Sequence, residues 1–90
     1  MKYKPPKSMI DNFETVFKTV SDLYGVSVQD MRGKRRQHHI VEPRFVAIHL
    51  AKMTGRQVSW PLVGWYANRD HSSCVYADDK VMAWKDTDKK

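Results

Sequence analysis

Cysteine is nearly missing from this 90-residue chain, where Cys74 stands alone. One cysteine excludes an internal disulfide and a cysteine-rich zinc framework. Glycine and proline are sparse too, four of each, which is too few for a disordered or low-complexity chain. No apolar run has the length of a membrane span, and no charged segment, apolar stretch and cleavage site combine into a signal peptide. Strand-like alternation and internal repeats are absent. So is the phosphate-cradling pattern GxxxxGK followed by Ser or Thr, which excludes an ATP-driven assembly built from these residues alone. Ninety residues make one domain at most. The expectation is a soluble, cytoplasmic protein that takes no cofactor and meets no membrane.

Acid is the most unevenly distributed scarcity. Residues 31–69 hold Glu42 as their one carboxylate, against Arg32, Lys34, Arg35, Arg36, Arg44, Lys52, Arg56 and Arg69. The first thirty residues are balanced and the last twenty-one carry a net −1, so the formal +6 belongs to the middle of the chain. A basic centre between neutral ends suits a polyanion, and nucleic acid is the commonest one in a cell.

The apolar residues are spaced for helices. "MKYKPPKS" reads as an extended basic arm over 1–8, with Ser8 placed to cap the next helix and Asp11 completing a capping box. Ile10, Phe13, Val16, Phe17, Val20, Leu23 and Tyr24 then recur at three- and four-residue spacing, and Gly25 stops the helix. A short second helix starts at Ser27 and ends at Gly33. "KRRQHHIVEP" reads as a loop, with Pro43 in the first turn of a third helix. Phe45, Val46, Ile48, His49, Leu50 and Met53 give that helix a broad apolar face, closed by Gly55. Ser59 caps a fourth helix that ends near Ala67-Asn68. Cys74, Ala77, Val81 and Trp84 form one stripe of a fifth. The class is all-α, the domain spans 9–85, and 86–90 is a polar tail. The last two helices have helix-turn-helix form, the fifth being the candidate recognition helix.

The corner between them, Arg69-Asp70-His71-Ser72-Ser73, holds the residue types of a catalytic triad. Consecutive residues at a helix start point in different directions, however, and do not chain nucleophile to base to orienter. No catalysis is expected. The same residues suit a helix that meets DNA end-on. Asp70 can accept from a cytosine amine, His71, Ser72 and Ser73 can meet base edges, and Arg69 with nearby backbone N–H groups can hold a phosphate. His38-His39 lacks further ligands at useful spacing for a metal. Cys74 is read as a small core residue, and Trp60, Trp65 and Trp84 as core or edge anchors.

From about Val20 to Val81, "KRR", "EPR" and "RDHSS" in this order resemble the C-terminal DNA-binding domain of DnaA, the bacterial replication initiator. The resemblance implies a Trp-repressor-like helical domain that binds a nine-base-pair duplex box of the TTATCCACA type. It also implies that Arg36 enters the minor groove, Arg44 holds a phosphate, and Pro61 touches a thymine methyl. Arg69, Asp70, His71, Ser72 and Ser73 match the major-groove corner, while Lys34, Arg35 and Lys52 match positions near the DNA backbone. The chain differs in having two serines where threonines are usual, Ala67-Asn68 where glycines are common, and Glu42 before the proline. "MTGRQVSWP" is also one residue longer than the usual connection.

The function expected is sequence-specific binding of double-stranded DNA by a monomer, with a transcription regulator favoured because the ATPase domain is missing. RNA polymerase or a missing C-terminal domain are the further partners considered. The alternatives are an origin-binding or initiator-competing protein and, in another class, a protein-interaction module on the same fold.

Overall fold

A computed structural model describes residues 4–87. Five helices follow in order: α1 (Lys7–Tyr24), α2 (Val28–Arg32), α3 (His38–Lys52), α4 (Trp60–Ala67) and α5 (His71–Thr87). The described residues contain no strand, so the all-α expectation holds.

α1 forms because Phe13, Phe17 and Val20 fall on one face and are all buried. Gly25 ends it in the left-handed conformation (φ 69°), with its N–H on the Ser21 carbonyl at 2.8 Å. The start differs from expectation. Pro6 occupies the cap position with no side-chain capping bond, and Ser8 lies inside the helix, so the Ser8–Asp11 capping box does not form. A proline at that point removes one of the unpaired N–H groups of the helix start, but it has no side-chain acceptor to cap the others. Of the arm expected at 1–8, residues 1–3 lie outside the described residues, Pro5 is buried, and Lys7 and Ser8 are helical. At the other end α5 runs to Thr87, so the expected tail begins inside a helix, and residues 88–90 lie outside the described residues.

α2 is bounded as its sequence predicts. The Ser27 hydroxyl accepts from the Asp30 N–H at 3.0 Å, and Gly33 caps the far end. α3 begins earlier than expected, at His38, so the loop shrinks to residues 33–37 and Pro43 sits inside the helix, past its first turn. The Gln37 carbonyl closes that turn by accepting from Ile40 and Val41, both at 2.9 Å. Pro43 sacrifices a donor to the His39 carbonyl. Both Ile40 and Pro43 are buried, one turn apart, and this burial offsets the lost bond. α3 ends at Lys52 with Met53 as its cap, ahead of Gly55, because the Thr54 N–H and hydroxyl both bond the Ala51 carbonyl.

α3 runs through the middle and packs on each of the other four helices. Ala47, Ile48 and Ala51 meet Phe13, Phe17, Met31, Val63, Tyr66, Cys74 and Ala77 in one continuous core. Tyr66 stacks edge-on against Phe17 at 5.0 Å, and Arg32 covers its ring at 4.2 Å. The expected anchoring by tryptophan is seen at the edges, where Trp84 stacks on Phe45 at 6.2 Å. His49, read from its spacing as one more apolar-face residue, is buried and hydrogen-bonded at both ring nitrogens. Its Nδ1 lies 2.6 Å from the Asp78 carboxylate and Lys85 reaches Nε2 at 3.3 Å, tying α3 to α5.

Candidate nucleic-acid interface

The turn between α4 and α5 has little freedom. Asn68 adopts the left-handed conformation (φ 61°), and the Arg69 N–H bonds the Gly64 carbonyl at 2.9 Å. Asparagine is the best tolerated residue there after glycine, which explains Asn68 where a glycine is common. A Cβ at Gly64 would stand 2.4 Å from the Arg69 carbonyl oxygen, so only glycine lets the two helices close this tightly.

This turn puts Asp70 immediately before α5, with its carbonyl accepting from the Cys74 N–H, and exposes His71, Ser72 and Ser73 in the first turn. Ser72 donates its hydroxyl proton to one Asp70 oxygen at 2.6 Å, while the other oxygen is 3.7 Å from His71 Nδ1, beyond hydrogen-bond length. The hydroxyl therefore points at the carboxylate and not at the imidazole, which is the wrong order for nucleophilic catalysis. Cys74 is buried, and desolvation pushes its thiol up to about 11. Among the described residues no group of three or more His, Cys, Asp or Glu is placed to hold a metal, and exposed His38 instead faces Glu42 at 3.7 Å.

The basic loop comes to the same face. Arg36, Arg44, Arg69, Ser72 and Ser73 line one open groove of about 510 Å³ together with Phe45 and Tyr76, and among the described residues no carboxylate lines it. Burial lowers the pKa of Arg44 to about 10, with Arg69 and Arg36 adding repulsion. Burial is also the main cause that lowers Arg69. Cations crowded together without an acid are a site for a polyanion. Asp70 and Arg69 line an adjoining groove beside Gly64, Trp65 and Asn68.

The other expected residues are placed unequally. Lys34 and Arg35 are exposed on the loop, Arg35 lying 3.8 Å from Asp30. Pro61 is exposed in the first turn of α4, one residue after Trp60, as the sequence predicts. Ser59 caps α4 by position without a side-chain bond. Lys52 sits at the end of α3 with its ammonium 5.4 Å above the Trp60 ring. Lys34, Arg35, Lys52, Pro61, Asp70 and His71 do not line the groove that unites Arg36, Arg44, Arg69, Ser72 and Ser73. Arg44, expected to hold a phosphate, is only 4% exposed. Its Nε donates to the Met31 carbonyl at 2.7 Å, and one terminal nitrogen donates to Asp30 at 3.2 Å and Arg35 at 2.5 Å. Tyr76 was not among the expected residues, although its place one turn after Ser72 and Ser73 is the signal that puts it in the groove.

A tight helix-turn-helix in an all-helical domain, presenting an exposed polar corner beside a carboxylate-free cationic groove, defines the class: a DNA-binding helix-turn-helix domain. The particular family follows from comparison. The model of the bacterial dnaA protein helix-turn-helix matches residues 13–81, and the chain belongs to that family. It is 37% identical over 78 residues to the chromosomal replication initiator protein DnaA of Nitrosomonas europaea. Against the proteins of that name from Oenococcus oeni and Paraburkholderia phymatum it is 39% identical over 72 and 69 residues. These matches cover 86%, 79% and 76% of this chain but only 17%, 16% and 13% of those relatives. No helix among the described residues is long and apolar enough to cross a membrane.

Proposed function

We propose that this chain binds double-stranded DNA as a sequence reader, one copy per site. The first turn of α5 lies in the major groove and Arg36 in the neighbouring minor groove. The observation that carries the reading is the shared groove. Arg36 from the basic loop and Arg69, Ser72 and Ser73 from the corner line one surface that no acid interrupts. Phosphate contacts by Lys34, Arg35, Arg69 and Lys52 supply affinity and register, and base contacts supply sequence.

The hydrogen-bond polarity of the corner narrows the reading further. The Ser72 proton is committed to Asp70, so the serine oxygen and the outer Asp70 oxygen both present acceptors. Acceptors fit the amines of cytosine and adenine in the major groove and oppose the acceptor edges of guanine and thymine. Ser72 and Ser73 also lack the methyl groups that threonines would pack on thymine.

The role favoured is a regulator acting at promoters, with RNA polymerase the partner such a role implies. A specific observation supports the second reading, binding or competing at replication origins: the relatives named above are replication initiators. Selection from a random duplex pool at about physiological salt, where non-specific phosphate binding is weak, tests the proposal. A motif of about nine base pairs is expected, as one recognition helix and one arm can cover. Its presence upstream of genes or clustered at an origin separates the two roles. No enrichment, with weak and steeply salt-dependent binding, overturns base reading and leaves the protein-interaction alternative.

A further inference from the structure

The last four carbonyls of a helix lack partners within it, and a five-residue helix such as α2 offers little else. Here side chains from elsewhere answer them. Arg44 donates to the carbonyls of Asp30, Met31 and, beyond the helix, Arg35. Arg69 donates to Gly33, and Asn68 reaches the Arg32 carbonyl at 3.5 Å. Arg32 returns the contact by donating to the Tyr66 carbonyl of α4 at 2.6 Å. The stretch 30–35 is thus held from one side by α3 and from the other by the helix-turn-helix turn. Carbonyl dipoles at a helix C-terminus attract cations without cancelling their charge, so the two guanidiniums are fixed and stay positive.

Resting on the DNA-reading proposal, we propose that Arg44 and Arg69 are positioning residues. Arg44 acts on DNA through the backbone of the basic loop, and Arg69 does so beside its own phosphate contact. Together they fix Arg36 in register with the Asp70–Ser73 corner, so the minor-groove and major-groove contacts form one rigid reader. An arginine that served only as a phosphate contact would be replaced largely by lysine, which keeps the charge. One that bonds three carbonyls with a planar fork would not be, because an ammonium cannot span them.

The test uses the full chain and a duplex chosen from the random pool. The A·T pairs facing Arg36 are exchanged for inosine·cytosine, which keeps an A·T-like minor groove, and for G·C, whose guanine amine fills it. The wild type is expected to tolerate inosine·cytosine and to lose about tenfold or more on G·C, as one lost base contact implies. Arg44→Lys is expected to shrink that discrimination several-fold while leaving the preference at the pairs facing Asp70. The losses from Arg36→Ala and Arg44→Lys are expected to be non-additive, as coupled residues are. Without DNA, the amides of 33–37 in Arg44→Lys are expected to lose order by ¹⁵N relaxation. Where Arg44→Lys unfolds too easily to assay, half-exposed Arg69→Lys carries the same expectations. Lysine variants that keep the wild-type profile, or losses that add, overturn the proposal alone. A wild type with no preference at any pair overturns it together with the reading beneath it.

Discussion

The basic loop at 33–37 and the corner at 69–73 are both short, polar and set on one face, yet they are built in opposite ways. The loop has no turn chemistry of its own beyond Gly33, and other elements hold it, through Arg44 and Arg69. The corner holds itself, through Asn68 in the left-handed region, the close approach at Gly64 and the Ser72–Asp70 bond. On the proposed reading the loop contributes charge, which any duplex attracts, and through Arg36 a minor-groove contact that favours A·T. The corner contributes hydrogen-bond acceptors, which only some base edges can use. The difference teaches that one face can join a loop held from outside to a corner that holds itself, the Arg69 side chain linking the two.

Substitutions can break that comparison one side at a time. The largest effect is expected from Gly64→Ala, because a methyl 2.4 Å from the Arg69 carbonyl forces the turn open. A cost of about 1–3 kcal/mol or more in unfolding free energy follows, as for other overpacked sites, read from a shifted denaturant midpoint. Arg36→Ala comes next. It should weaken binding to every duplex, remove the A·T preference at the pairs it faces, and lower the slope of log K against log salt by about one unit, measured by anisotropy across a salt series. Ser72→Ala is smaller. It releases the Asp70 carboxylate at a cost of about 0.5–1.5 kcal/mol on the selected site, and Ser72→Thr should keep most of the binding by keeping the hydroxyl. Smallest is the response of Cys74 to a thiol reagent at pH 8. Its thiol, raised to about 11 by burial, should stay unmodified in the folded protein and react on unfolding. The same shift makes the folded state lose stability as pH rises from the ordinary thiol value of 9.0 towards about 11.

Local signals made much of this legible in the sequence. The Phe13, Phe17 and Val20 spacing, Ser27 and Gly33 around α2, and Ser59, Trp60 and Pro61 at the start of α4 each depend on neighbours a few residues away. The stretch Gln37–Pro43 was harder, because its charge run and its proline both mimic a loop. Only burial of Ile40 and Pro43 against other helices makes it a helix. Arg44 is the clearest limit of local reading. An arginine beside a proline looks like a surface cation until the carbonyl ends of α2, more than ten residues away in sequence, are folded against it. His49 is similar: periodicity assigned it to the core correctly, but the Asp78 that accompanies it comes from α5.

The central claim is that the corner reads bases in the major groove, beside a loop that supplies charge and one minor-groove contact. It is tested most directly by titrating wild type and Asp70→Ala onto the selected duplex and a scrambled one at the same salt. The account predicts a loss of about 1–3 kcal/mol on the selected duplex, almost none on the scrambled one, and an unchanged salt slope. Equal losses on both duplexes would contradict it, because Asp70 would then be shaping the fold or the general field and not reading sequence.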